Sequence, residues 1–323
     1  MPKISSNGEI NVKVRTMKVL VAGGSGLVGS AIFRKLNIYG IEALSISSKD
    51  VDLLNREATF QFLERIRPDV VIDAAAKVGG IGANDSNPVD FLSDNLRIQT
   101  NLIDASHEFG VEKVIFLGSS CIYPKHAKQP IKESELLNGY LEPTNSAYAI
   151  AKIAGIELIK SYRKQYNHKW ISLMPANLYG PGDNFNVNTG HVLPSLLNKF
   201  HIGRVENRAS VELWGDGSAF REFLHVDDLA DAVVFCLDKY DEEEHLNIGS
   251  GQETSIKDLA GMVKKSVDFQ GMISWDASKP NGTPRKILDS SRIISLGWKP
   301  KIDLQDGINQ TYKWFIENPD RRV

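Results

Sequence analysis

Apolar and polar positions alternate along the first two thirds of the chain in short blocks of two different periods. Val19 to Ala22 is an apolar run that stops at glycines, and Leu27, Val28, Ile32 and Leu36 then recur on one face of a helix. The stretch 41–47 reads as a second strand, 56–66 as a helix and 69–76 as a buried strand. A helix over roughly 89–108, a strand over 113–120, a long helix over 146–166 and a strand over 170–177 continue the series. This alternation at short spacing predicts an α/β fold of Rossmann type: a doubly wound parallel sheet with helices on both faces. Right-handed crossovers then place the strand carboxyl ends, and any ligand crevice, along one edge.

The rhythm changes after residue 178. The stretch LYGPGDNFNVNTG (178–190) is rich in Gly, Pro, Asn and Asp and reads as loop. A helix over 225–240 and a strand over 245–251 are suited to return to the sheet, and a final helix is expected near 303–317. The predicted organisation is a dinucleotide-binding domain from 17–178 plus 225–251. A smaller C-terminal α/β substrate-binding domain follows from 179–224 plus 252–323. Residues 1–16, polar and mixed, read as a loosely ordered extension without the apolar core of a signal peptide.

Composition narrows the classes of function. Among 323 residues the net charge is −2, which supplies no global basic field for nucleic acid or an anionic membrane. No apolar run is long enough to predict a membrane span. Only Cys121 and Cys236 are present, too few for a disulfide framework, and they suit a reducing, cytoplasmic setting. The histidines show no metal-ligand spacing, so no metal is expected.

Gly23-Gly24-Ser25-Gly26-Leu27-Val28-Gly29 joins the first strand to the first helix. Glycines there permit a tight turn and close backbone approach, and a helix N-terminus presents free N–H groups to a pyrophosphate. The second strand ends in Ser47-Ser48-Lys49 rather than in an acid. Hydroxyls and an ammonium suit a 2′-phosphate, so the cofactor expected is NADPH; the bland alternative is a solvated turn in which Lys49 touches nothing.

Tyr148 and Lys152 lie four apart on the long helix and so share a face. An ammonium near a phenol favours the phenolate and lowers its pKa, and the pair can exchange a proton with a carbonyl oxygen while hydride moves at the carbon. Ser119 and Ser120, at a strand's carboxyl end, can bond the same oxygen. Cys121 follows them directly, and reads either as a small apolar plug or as a proton-transfer group. Cys236, in an apolar helical stripe, reads as core.

The glycine loop, AAAKVGGIGAN (74–84), GSSCIYPK (118–125), YAIAK (148–152), NLYGPGDNF (177–185), GHVLP (190–194) and REFLHVDDLA (221–230) together resemble the extended short-chain dehydrogenase/reductases. More narrowly they resemble the branch that epimerises and reduces GDP-4-keto sugars. The resemblance runs from residue 17 to the C-terminus. It implies an NADPH-dependent conversion of GDP-4-keto-6-deoxy-D-mannose to GDP-L-fucose, by epimerisation at carbons 3 and 5 and hydride transfer to carbon 4. It implies Tyr148 as proton donor, Lys152 as its partner and Ser119 as the third member, with Ser120 the alternative. Cys121 and His191 match the acid/base pair of the epimerisation; Cys121 is assigned as base and His191 as acid, with the reverse left open. The cofactor is expected on the glycine loop, Ser48, Lys49, Asp52, Tyr148, Lys152, Pro175, Asn177, Leu178 and His191. The GDP-sugar is expected on Ser120, Asn177, Lys199, Trp214, Arg221, Asn281 and Lys286. Ser25, Lys199 and Asn281 depart from the bacterial pattern of arginine, arginine and aspartate. A homodimer through the long helix and its neighbour is a further implication.

The chemistry explains the residue types. A ketone at carbon 4 acidifies the hydrogens on carbons 3 and 5, and inversion needs a base on one ring face and an acid on the other. A thiol and an imidazole titrate near neutrality and can exchange such roles. Two other readings stand beside this one. One is a reductase of a different GDP-4-keto sugar, such as a 6-deoxy-heptose, with little or no epimerisation. The other is a dinucleotide sensor without turnover, against which the intact Tyr148/Lys152 pair argues.

Overall fold

The computed structural model describes residues 17–279 and 283–321; the extension 1–16 and Asn281 lie outside them. The chain begins with β1 (Val19–Ala22), α1 (Leu27–Ile38), β2 (Ala43–Ile46), α2 (Arg56–Ile66) and β3 (Val70–Asp73). Helices α3 (Ile81–Ser86) and α4 (Pro88–Glu108), strand β4 (Lys113–Leu117), helix α5 (Ser146–Tyr166) and strand β5 (Ile171–Pro175) follow. Later in the chain come β6 (Asn177–Tyr179), α6 (Val192–Val205), β7 (Ser210–Trp214), β8 (Phe220–His225), α7 (Val226–Lys239) and β9 (Leu246–Ile248). The last elements are β10 (Glu253–Ser255), α8 (Ile256–Val267), β11 (Met272–Asp276), β12 (Arg285–Lys286), α9 (Ser291–Ser295) and α10 (Leu304–Glu317).

Strands β2-β1-β3-β4-β5-β9 form a six-stranded sheet in that order, and each pair is parallel. Its strands are buried along their whole length at β1, β3, β5 and β9, as a sheet covered on both faces requires. The strand order reverses between β1 and β3, and that is where an open α/β sheet leaves its crevice. Helix α7 packs beside α1 and α4 beside α5, so the two faces are covered by helices from distant parts of the chain. His225 begins α7 as its N-cap, its Nδ1 accepting from the Asp227 N–H at 3.2 Å.

A second apolar cluster gathers Tyr179, Phe185, Leu197, Phe200, Leu259, Val263, Ile308 and Phe315. It lies under α6, α8 and α10. Leu288, Ile293 and Trp298, late in the chain, pack instead with the main-sheet cluster. The segment 178–190 is not wholly loop: Asn177–Tyr179 is β6, which pairs in parallel with β8 at Phe223, Leu224 and His225. Beyond it the Asn and Asp residues do what their side chains do best. Asp183, Asn184 and Asn186 each accept a backbone N–H one to three residues on, building consecutive tight turns.

Helix α5 approaches β4 closely because residue 155 is glycine. A Cβ there would stand 2.3 Å from the ring of Phe116, which is fully buried. The Gly155→Ala variant should therefore lose about 1–3 kcal/mol through overpacking, read as a lower urea midpoint at unchanged slope. An unaltered midpoint would show that the ring moves aside freely.

Asp183 gives the fold a pH dependence. It is buried, its Oδ2 has no hydrogen-bond partner among the described residues, and loss of hydration raises its pKa from 3.8 to about 7. Between those values the folded chain holds a proton that the unfolded chain has released, so stability falls as pH rises from 4 to 7. Asp183→Asn should flatten that decline in urea melts across the same range; equal slopes for both proteins would remove Asp183 as its source.

Candidate active site

The parallel strands end on one edge of the sheet, and a cleft of about 2160 Å³ runs along it. At one end lies the turn after β1. Gly23 has φ +79°, and a Cβ there would come within 2.5 Å of the Ala74 carbonyl oxygen. Only glycine meets both conditions. Gly26 is the N-cap of α1 and carries no capping side chain, so the first N–H groups of the helix are left to the cleft. Gly23, Ser25, Gly26, Leu27 and Val28 line it. Gly24 and Gly29 brace the turn instead: the Gly24 N–H donates to the Ile46 carbonyl at 2.7 Å, and α1 packs at Gly29 against the backbone of Gly23.

The turn after β2 forms the adjoining wall. Ser48 and Asp52 line the cleft, and Lys49 is exposed between them. The Asp50 carboxylate turns back onto Ser47, accepting from its N–H and its hydroxyl at 2.8 Å each. Ser48 thus reaches the cleft, while Lys49 is exposed beside it, within the field of Asp50 and outside the cleft lining. An uncapped helix N-terminus, a glycine cradle and this hydroxyl/ammonium turn fit a dinucleotide carrying a 2′-phosphate.

The reacting groups meet where β4 ends. Ser119 caps a short 3₁₀ turn at Ser120–Ile122, and its Oγ accepts the Cys121 N–H at 3.3 Å. The same side chain hydrogen-bonds the Tyr148 hydroxyl from α5. Both serines line the cleft and Ser120 is the more buried, and the interaction with the phenol comes from Ser119. Lys152, one turn further along α5, is buried; its Nζ donates to the Leu117 carbonyl at 2.8 Å and stands 4.7 Å from the Phe116 ring centroid.

The electrostatics differ from what the Tyr-x-x-x-Lys spacing predicts. The Tyr148 pKa is raised, not lowered. Burial is the largest cause and the nearby Cys121 adds to it, while the Ser119 hydrogen bond opposes. Tyr148 is half-buried on the cleft wall, and burial decides the direction. The Lys152 ammonium is spent on Leu117 rather than on the phenol. Burial lowers the lysine's own pKa, and Asp73 opposes that shift. A tyrosine held protonated is a proton donor, as reduction of a carbonyl requires.

Cys121 is half-buried on the cleft wall, with Asn145 Nδ2 3.4 Å and Lys286 Nζ 3.5 Å from its sulfur. His191 enters from the other side as N-cap of α6. Its loop is held in place by backbone: the Gly80 N–H donates to the Thr189 carbonyl at 3.0 Å, and a Cβ at Gly80 would strike the Gly190 carbonyl oxygen at 2.8 Å. The imidazole is accessible to the cleft yet surrounded by protein. Burial lowers its pKa, and the Lys286 charge lowers it further.

Pro175, Asn177 and Leu178 line the floor between the two units, with Asn177 Nδ2 donating to the Glu222 carbonyl at 2.7 Å. Lys199, Trp214, Arg221 and Lys286 also line the cleft, the last two beside Cys121. The Lys199 ammonium lies 6.0 Å from the Trp214 ring centroid, and that indole is 64% exposed. An open aromatic face flanked by cations suits a planar base and its phosphates.

Two residues escaped the sequence reading. Asp73 ends β3 fully buried: its Oδ1 accepts the Ala75 N–H, and its Oδ2 has no hydrogen-bond partner among the described residues. Burial raises its pKa to about 6, against the pull of Lys152. A lone acid in the run VVID was the available signal. Asn145, which reaches the Cys121 sulfur, had none.

Residues 19–249 match the model of the NAD dependent epimerase/dehydratase family. The chain is 54% identical over 305 residues to GDP-L-fucose synthase 1 of Arabidopsis thaliana, covering 94% of each protein. It superposes on a GDP-L-fucose synthetase from Naegleria fowleri bound to NADP with TM-score 0.87 and 31% identity, covering 95% of this chain and 96% of that one. A GDP-mannoheptose C4 reductase from Campylobacter jejuni with NADP bound gives TM-score 0.85 and 36% identity, covering 93% and 98%. The chain belongs to the NAD dependent epimerase/dehydratase family and, within it, to the branch of the GDP-L-fucose synthases.

Proposed function

We propose that this chain converts GDP-4-keto-6-deoxy-D-mannose to GDP-L-fucose with NADPH, epimerising carbons 3 and 5 and then reducing carbon 4. The observation that carries the proposal is convergence: Ser119, Cys121, Tyr148, Lys152 and His191, spread over more than seventy positions, open onto one cleft. The names of the relatives supply the sugar. Bound NADPH supplies the hydride for carbon 4. The turn after β1, with Ser48, Lys49 and Asp52, holds its adenosine end, and Pro175, Asn177 and Leu178 its nicotinamide end. Lys199, Trp214, Arg221, Asn281 and Lys286 are assigned to the GDP-sugar. The main-sheet unit thus serves the dinucleotide and the unit over α6, α8 and α10 the sugar nucleotide.

Cys121 takes the proton from carbon 3 or 5, and the C–H electron pair moves toward the carbon-4 oxygen as an enolate. Ser119 and the Tyr148 hydroxyl hydrogen-bond that oxygen and hold the developing charge. His191 returns a proton to the opposite face. In reduction the Tyr148 phenol passes its proton to the same oxygen. One oxygen site therefore serves both reactions.

Among the described residues no helix is long and apolar enough to cross a membrane. We assign the chain to the cytoplasm, in keeping with two free cysteines, and to a homodimer through α4 and α5, where Val89 and Ile150 are exposed. A reductase acting on a heptose-type GDP-4-keto sugar is the second reading, favoured by the superposition on the heptose reductase.

Three assays decide. In heavy water with NADPH withheld, the wild type should wash deuterium into carbons 3 and 5; steady NADPH consumption without wash-in would establish the second reading. Tyr148→Phe should lower NADPH oxidation by about 10²–10⁴-fold while cofactor fluorescence titrations stay within about twofold. Lost cofactor binding with intact turnover would contradict its role. Cys121→Ser should stop wash-in at both carbons, and retained exchange would remove the thiol from the chemistry.

A further inference from the structure

The sulfur of Cys121 is the meeting point of groups from three separate stretches of chain. Asn145, just before α5, brings its side-chain N–H₂ to 3.4 Å. Lys286, on the short strand β12, brings its ammonium to 3.5 Å. Arg221, the partner of Lys286 across the β12/β8 pair, lies within electrostatic reach of the same sulfur. Cross-strand partners share a face, so the two cations stand side by side toward the cleft. The Arg221 guanidinium donates to the Phe220 carbonyl at 2.7 Å, and of the two cations it is the Lys286 ammonium that stands at hydrogen-bond distance from the sulfur.

We propose that Lys286 is the counter-ion of the Cys121 thiolate, a positioning residue that arms the base of the epimerisation rather than a mere handle for the GDP-sugar. The proposal rests on the epimerase reading of the site. An ammonium at hydrogen-bond distance stabilises the anion over the neutral thiol, and the neutral Asn145 amide completes the donor set without adding charge. When the thiolate takes a carbon-bound proton, the C–H electron pair passes to the enolate oxygen and the sulfur becomes a thiol. The Lys286 charge is then no longer paired at sulfur. It stands in the field that also acts on His191, where a positive neighbour favours release of the imidazolium proton. One side chain thus acts on the base before transfer and on the acid after it.

The test uses the free protein and the chemistry of its thiols. Cys236 is fully buried, so iodoacetamide reports on Cys121 alone; the Cys121→Ser protein, which should take up no label, checks that. Lys286→Met should be alkylated about tenfold more slowly than the wild type at pH 7, with the difference closing at pH 10, where an accessible thiol is ionised with or without a counter-ion. Lys286→Arg should recover most of the rate. NADPH binding in the Met variant should be unchanged, which shows that it is folded. In the exchange assay the same variant should lose about tenfold in wash-in at saturating GDP-sugar, a loss that persists whatever rise in KM its substrate contact causes. Unchanged alkylation at pH 7 together with a raised KM would overturn the proposal and leave Lys286 as a phosphate ligand. Slower alkylation in a series whose wild type shows no wash-in would keep the ion pair and reject the epimerase reading instead.

Discussion

One contact sets the rest of the active site: the Lys152 ammonium on the carbonyl of Leu117. It ties α5 to the last residue of β4. A buried ammonium is costly unless it is paired, and here the carbonyl, the Phe116 ring and the charge of Asp73 share the task. With Lys152 fixed, Tyr148 one turn earlier is held against Ser119, and Ser119 in turn holds the Cys121 N–H. Gly155 makes the approach possible, since any side chain there would occupy the space of the Phe116 ring. The catalytic groups on β4 and α5 are thus consequences of one close helix–strand packing.

The charges around the cleft are arranged by burial more than by pairing. Loss of water keeps Tyr148 protonated, lowers the Lys152 and His191 pKa values, and raises those of Asp73 and Asp183. Each shift favours the neutral form of its group. The surroundings of the Cys121 sulfur are different in kind: an amide and an ammonium stand at hydrogen-bond distance and the Arg221 charge lies nearby.

The alternation of strand and helix made the sheet and its ligand edge legible in the sequence. The reading of 56–66 and of 146–166 as helices coincides with α2 and α5, because a periodic apolar face and a buried-strand neighbour agree there. The segment 178–190 was harder. Glycine and asparagine marked it as loop, yet its first residues belong to β6, since pairing with β8 outweighs local composition. In the site, motifs announced the serine, tyrosine, lysine and cysteine. They could not say which serine turns inward, since that depends on the 3₁₀ turn after β4, nor that burial would outweigh the lysine in setting the phenol. Asp73 and the Asn145–Cys121–Lys286 cluster stayed hidden for a simpler reason: their partners lie far apart in the chain, and no local pattern encodes a meeting.

The backbone bond from Gly80 to Thr189 has a consequence for how such enzymes diverge. Ser119, Tyr148 and Lys152 all sit on β4, its following turn and α5, whereas His191 arrives on a loop that meets that side through the Gly80–Thr189 bond and is anchored below by Asn198 on the Phe185 carbonyl. A lengthened or shortened loop would withdraw the imidazole without touching the oxygen site. On the epimerase reading, a small indel there would remove one of the two chemistries and leave the other, turning an inverting catalyst into a plain ketone reducer.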